Sequence, residues 1–242
     1  MSEDTFELKK EPFTVELKDA VNDLLNLPAD HYRLAQKCVI KDDTISMVPP
    51  EIGRFENLEE LDIHGRRIET LPPEIARCQK LRQITFFAGN VFEYFGARFC
   101  GGARPQQSFN RLPAEIGKLH KLKDLSLQRN FLTRLPPEMA ALKHLQKLTL
   151  SDNRFESFPA EILHFESLEE LWLGRNRFTA LPDDFDRLAR LRTLFMEGCH
   201  LTALPACIGK LHELQILVLN YNELAALPES IGGLQKLRIL NA

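Results

Sequence analysis

Apolar positions in this chain recur in a fixed order from Leu58 to Lys236, and the order repeats every 23 residues. In register, the segments read LEELDIHGRRIETLPPEI from Leu58, LKDLSLQRNFLTRLPPEM from Leu122 and LQKLTLSDNRFESFPAEI from Leu145. They continue as LEELWLGRNRFTALPDDF from Leu168, LRTLFMEGCHLTALPACI from Leu191 and LQILVLNYNELAALPESI from Leu214. The shared template is LxxLxLxxNxLxxLPxxI, followed by one more apolar residue and a short polar link. A weaker copy precedes these, with Ala35, Cys38, Ile40, Asp43, Ile45, Val48, Pro49 and Ile52 at the template offsets. Another copy starts at Leu81 and is interrupted, and one more begins at Leu237. A constant period of this size predicts a stacked, quasi-one-dimensional array in which each unit packs on its neighbours.

Within a unit the spacing changes character. Leu148 and Leu150, or Leu171 and Leu173, are two apart, so they point to one face of a short strand while the residue between them points to the other. Asn130, Asn153, Asn176 and Asn222 follow at a fixed offset. A buried amide must be paired, and Asn carries both donors and an acceptor, so a column of these residues is expected to stitch successive bends together. Asp43 and Cys199 stand in the same slot, and so does Arg66, whose guanidinium predicts that its turn opens to solvent. After a further inward Leu or Phe comes Leu-Pro. Proline fixes its backbone angle and lacks a donor, so it starts a helical turn and cannot sit inside a sheet. Ile162 with Phe165, and Ile208 with Leu211, then have the spacing of residues that pack the back of the coil.

These strings resemble the leucine-rich repeat family, in its intracellular 23-residue form with LPxxI in each turn, over about residues 35–242. The resemblance implies an α/β solenoid. It would be a curved right-handed coil with parallel strands on the concave face and short helices or 3-10 turns on the convex face. About eight turns and an incomplete ninth are expected, preceded by a partly helical capping segment at 1–34. In that segment Val15, Leu17, Ala20, Val21, Leu24 and Leu25 roughly follow helix spacing, with Thr14 as the expected cap. One turn cannot bury its own apolar face, so the array is expected to fold as a unit.

Composition adds limits. Across 242 residues the formal net charge is -3, without the basic footprint of a nucleic-acid or anionic-membrane binder. The five cysteines are odd in number; four have places in the repeat, Cys100 lies in the interrupted copy, and they form no paired framework, so free thiols are expected. MSEDTFELKKEPF is charged and lacks an apolar signal segment, and no apolar run is long enough to span a bilayer. The expected compartment is the cytoplasm. LRILNA ends inside a strand, which leaves an apolar edge. Truncation from a larger protein, end-to-end homodimerisation through that edge, and fraying of a marginal last turn are the three explanations.

In the interrupted copy Leu112 lies 31 positions after Leu81, where Leu135 lies 13 after Leu122. The insertion, at about 88–108, carries Phe92, Tyr94, Phe95 and Phe99. It reads either as a flap that contacts a partner or as a local hairpin packed on its own turn.

The outward column at the strand centres runs Val39, Asp62, Thr85, Ser126, Thr149, Trp172, Phe195, Val218. Trp172, Phe195 and Val218 are expected to form a contiguous exposed apolar stripe, joined by Arg129, Phe131, Arg154, Arg175, Arg177, Glu197 and Tyr221 from neighbouring columns. Trp, Tyr, Phe and Arg dominate binding energy at protein interfaces, although aromatics on a strand also pack on one another without any ligand.

The chain has no phosphate loop, and no nucleophile, acid–base pair or cofactor motif can be defended from spacing. Cys199, His200, Cys207 and His212 fall on different sides of the coil and are not expected to converge on a metal. The reading is a non-catalytic scaffold that binds a protein or peptide on its concave face, with no cofactor. The alternative is the recognition arm of a larger signalling or effector enzyme whose catalytic part lies elsewhere.

Overall fold

The computed structural model describes residues 13–87 and 109–242. Among these, ten parallel strands form one sheet whose spatial order is the order of the sequence. They are β1 (Thr14–Leu17), β2 (Lys37–Lys41), β3 (Glu60–His64), β4 (Gln83–Phe87), β5 (Asp124–Ser126), β6 (Lys147–Thr149), β7 (Glu170–Trp172), β8 (Thr193–Phe195), β9 (Ile216–Val218) and β10 (Ile239–Asn241). Each strand pairs with the next at equivalent template positions, as in Leu148↔Leu171↔Leu194↔Leu217. That register puts like side chains in columns, so alternate residues of β1 to β9 enter one continuous core, while β10 is exposed along its length.

Behind the sheet, short 3-10 turns follow the Leu-Pro or Phe-Pro step of the repeat, for example Pro137–Ala141, Ala160–His164 and Ala206–Lys210. Pro136, Pro159 and Pro205 precede them in extended conformation, with φ of -70°, -69° and -68°. Met139, Ile162 and Ile208 point inward from these turns and are fully buried. The backbone N–H of Leu142, Phe165 and Leu211 then bonds back to their carbonyls at 2.9, 3.0 and 3.2 Å, which closes each turn.

The interrupted copy keeps its place in the stack. β4 pairs with both neighbours in register, and Phe109 fills the core position after the Asn slot. Phe86 and Phe109, from either side of the insertion, pack with ring centroids 4.1 Å apart. The Phe131 N–H bonds to the Phe109 carbonyl at 2.9 Å, as the Arg154 N–H bonds to that of Leu132 in the next turn. Phe92, Tyr94, Phe95 and Phe99 lie outside the described residues.

Two sequence readings need correction. The N-terminal segment does not begin a helix at Thr14. It supplies β1, which extends the sheet by pairing with β2. Helix α1 (Ala20–Leu25) starts only afterwards and is capped by Asp19, whose carboxylate accepts the Asn22 N–H at 3.2 Å. Helix α2 (Ala29–Leu34) follows, with Tyr32 buried against Phe55 under the Arg54 guanidinium. The alternation Val15, Leu17 and the later Leu24 fit a strand and then a helix, and a single helical period misses that switch.

The second correction concerns the Asn slot. Asp43, placed there by offset, is solvent-exposed, and the buried carboxylate is its neighbour Asp42. Asp42 accepts the Ala20 N–H at 2.9 Å, the Thr44 N–H at 2.8 Å and the Thr44 hydroxyl at 2.6 Å. It thus ties the N-terminal segment to the first turn. Asp43 instead accepts the Arg66 N–H at 3.0 Å and faces the exposed Arg66 guanidinium.

Candidate functional site

The face of the sheet opposite the core carries the residues at the strand centres. Thr149, Trp172, Phe195 and Val218 are direct register partners on β6 to β9. The Trp172 and Phe195 rings are stacked, with centroids 3.9 Å apart and planes within 10°. Adjacent parallel strands lie about 4.8 Å apart, so the stack closes the gap between two turns. Both rings are half-buried, while Val218, expected to extend an exposed stripe, is only 7% exposed, and Thr149 is buried as well. The accessible apolar surface is therefore centred on the stacked pair. The Trp172 Nε1 is buried and has no acceptor among the described residues.

Beside the strands, a second set is fixed by unusual backbone geometry. Arg129, Asp152, Arg175 and Tyr221 each precede an Asn of the ladder and each adopt a left-handed conformation, with φ of 59°, 58°, 57° and 59°. That conformation costs a non-glycine residue roughly 1–2 kcal/mol, so the surrounding bonds must hold it. They do so by continuing the ladder. The Arg129 N–H bonds to Ser151 at 2.9 Å, that of Asp152 to Gly174 at 2.8 Å, and that of Arg175 to Glu197 at 2.7 Å. The following Asn side chains bind backbone on both sides of the bend: Asn176 accepts the Phe155 N–H and donates to the Leu150 and Leu173 carbonyls. Gly198 takes the corresponding place, at φ 63°, in the turn where Cys199 replaces Asn.

This geometry aligns a charged column next to the aromatic pair. Arg175 lies 3.7 Å from the Asp152 carboxylate and 3.4 Å from that of Glu197. Burial pushes the Asp152 carboxyl above its ordinary range despite the attraction of Arg175 and Arg129. One residue past the ladder, the Arg154 guanidinium sits over the Phe131 ring at 4.1 Å. Arg177 is exposed in the next turn, and Tyr221 is 87% exposed. The structure thus brings Arg129, Phe131, Arg154, Trp172, Arg175, Arg177, Phe195, Glu197 and Tyr221 onto consecutive turns. Asp152 and Glu197 are expected from the template as charged neighbours on this face, whereas the left-handed backbone of the column is not. The fixed offset, one residue before each Asn, is the signal that could have found it.

The early turns are occupied by internal pairs. Lys37 contacts Glu60 at 3.0 Å and Asp62 at 2.8 Å, and Lys41 contacts Glu16 at 2.8 Å. Cys38, Cys78, Cys199 and Cys207 are buried free thiols. Burial pushes the thiols of Cys38 and Cys78 up to about 12 and that of Cys199 to about 11, which keeps them protonated and poor nucleophiles. Among the described residues no group of His, Cys, Asp and Glu is arranged to hold a metal, and no helix is long and apolar enough to cross a membrane.

The leucine rich repeat family model matches residues 143–201. Among solved structures, a leucine-rich repeat protein of Leptospira interrogans is similar, at 28% identity and a TM-score of 0.73 over 88% of this chain and 56% of that one. An internalin of Listeria monocytogenes shares the fold at 16% identity and a TM-score of 0.64, over 85% of this chain and 53% of the other. So does the Toll–Spatzle complex of Drosophila, at 20% identity and a TM-score of 0.64, over 85% of this chain and 31% of the other. This chain spans about half the length of the first two. Among curated proteins no match is found.

Proposed function

This chain is a leucine-rich repeat solenoid, and from that premise we propose that it is a non-catalytic module holding a protein or peptide segment on the concave face of its sheet. The observation that carries this reading is the Trp172–Phe195 stack on the side of the sheet that faces away from the core. Flat aromatic surface costs little conformational entropy to immobilise and is typical of the residues that dominate interface energies. Arg129, Phe131, Arg154, Arg175, Arg177, Glu197 and Tyr221 surround it on a rigid backbone, which favours binding by limiting what must be ordered. The Toll–Spatzle complex has the same fold, consistent with a macromolecular ligand for this architecture. The proposed compartment is the cytoplasm, where buried unpaired thiols such as Cys38 and Cys78 are stable.

The test is capture from a native lysate with the intact chain and with the Trp172→Ala, Phe195→Ala double variant. The species retained by the intact chain should be lost from the variant, while the melting temperature stays within a few degrees, because a cross-strand pair contributes roughly 0.2–1 kcal/mol. Equal retention by both proteins would refute the site.

A further inference from the structure

We infer that the segment this face takes is an extended acidic peptide of about six residues with an aromatic or aliphatic side chain in its middle; this rests on the binding-module reading above. The argument is one of charge and dimensions. The chain as a whole is acidic, with a formal net charge of -3. Beside the aromatic stack, Arg154, Arg175 and Arg177 stand with Asp152 and Glu197, and further along the same edge Glu223 is paired with His200 at 2.9 Å. The Asp152 and Glu197 carboxylates are already drawn to Arg175, at 3.7 and 3.4 Å. On the sheet itself, Glu170 is paired with Lys147 at 3.5 Å. What is left over is cationic: Arg154 and Arg177 are exposed, and neither has a carboxylate partner among the described residues.

These two side chains suit carboxylates in particular. Arg154 is exposed and has its guanidinium carbon 4.1 Å from the centroid of the Phe131 ring, a contact that anchors the charged group at the surface. A planar fork of donors matches a carboxylate with two parallel bonds, which an ammonium cannot do. Arg177 occupies the equivalent template position one turn further on. The apolar part of the ligand has its counterpart in the stacked Trp172 and Phe195, on the strand of Arg177's turn and on that of the next.

Length follows from the repeat. From the turn of Arg129 to that of Tyr221 there are four strand-to-strand steps of about 4.8 Å, or about 19 Å, which an extended peptide crosses in about six residues. Side chains of an extended ligand alternate in direction, so acidic residues two apart can face the arginine edge while the residue between them meets the aromatic stack.

The experiment is selection of random linear peptides displayed on phage against the intact purified chain. Enriched sequences are then synthesised and measured by fluorescence anisotropy against the wild type, Arg154→Glu/Arg177→Glu and Trp172→Ala/Phe195→Ala. A fluorescein-labelled single-stranded oligonucleotide is the polyanion control. The expected result is enrichment of peptides with alternating Asp or Glu around an aromatic or aliphatic residue. Their binding should weaken at least about tenfold in the arginine variant and fall steeply with added salt. Circular dichroism should show both variants folded, since the substituted arginines are exposed and make no ion pair among the described residues.

Enrichment of neutral or basic peptides that still need Trp172 and Phe195 would overturn the acidic ligand while leaving the binding face intact. Peptides indifferent to both variants, or no enrichment at all, would overturn the face as well. Oligonucleotide binding equal to that of the best peptide would overturn the peptide assignment.

Discussion

The side-chain oxygen of Asn153 accepts the Leu132 N–H at 3.0 Å, joining residues 21 apart in sequence across a single bend. Its amide nitrogen donates in the other direction, to the Leu127 and Leu150 carbonyls at 2.9 Å each. One buried side chain therefore satisfies backbone groups in two turns, as expected of the Asn column. Asn130 is different. Its amide donates to Leu127 and Gln128 within its own turn, and its buried oxygen has no donor among the described residues. The preceding turn is the one that carries the insertion.

These two residues should respond unequally to the same truncation. Asn153→Ala strips partners from two turns and is expected to cost about 3 kcal/mol, since buried groups left unpaired lose their full desolvation compensation. Asn130→Ala removes only local bonds and one unmet acceptor, and should cost about 1 kcal/mol. Urea denaturation of both variants, compared at equal slope, measures the difference. Equal midpoints would show that cross-turn bonding is not what the column supplies.

The same contrast explains how far the sequence could be read. The repeat period was enough for the strand columns, the inward leucines, the proline-led turns and the placing of Trp172 beside Phe195, because every copy votes on the same offset. Where a copy departs from the template, offset arithmetic misleads. It pointed to Asp43 when Asp42 is the buried carboxylate, and it ran a helix through Thr14–Leu17 where the chain adds a strand to the sheet. It also treated Val218 as accessible, although that residue is buried on its strand. Exposure depends on the neighbours' bulk, and a template does not record it. The left-handed backbone at Arg129, Asp152, Arg175 and Tyr221 escaped because those residue types carry no glycine signature.

Asp42 gives a pH signature to the N-terminal segment. Burial pushes its carboxyl up, but the Thr44 hydroxyl and the N–H groups of Thr44, Ala20 and Ile45 together outweigh this and hold it below the ordinary carboxylate value. A depressed folded-state value contributes stability that is present above the unfolded value of about 3.9 and lost as pH falls through the folded one. Asp42→Asn should therefore cost about 2–3 kcal/mol at pH 7, and the gap to wild type should narrow below about pH 4. Hydrogen exchange at Ala20 and Thr44 reports it locally. A variant penalty that stays constant down to pH 2.5 would show that the charge on Asp42 is not what holds the segment.

Two glycines at equivalent positions of 3-10 turns differ in the space around them, one buried against a neighbouring turn and the other exposed. Gly117, in the turn Ala114–Lys118, is buried, and a methyl group there would overlap the backbone carbonyl of Glu138 in the following turn. Backbone cannot rotate aside as a side chain can, so Gly117→Ala must push two turns apart and is expected to cost about 1–3 kcal/mol. Gly232, in the turn Glu229–Gly233, has open space where its methyl would go, and its backbone is not left-handed. Gly232→Ala then acts chiefly by restricting the unfolded chain and should stabilise by about 0.4–1 kcal/mol. Thermal unfolding of the pair checks both signs at once. A destabilised Gly232→Ala would mean that this turn packs against something beyond the described contacts, and an unaffected Gly117→Ala would mean that the spacing between turns is softer than the register implies.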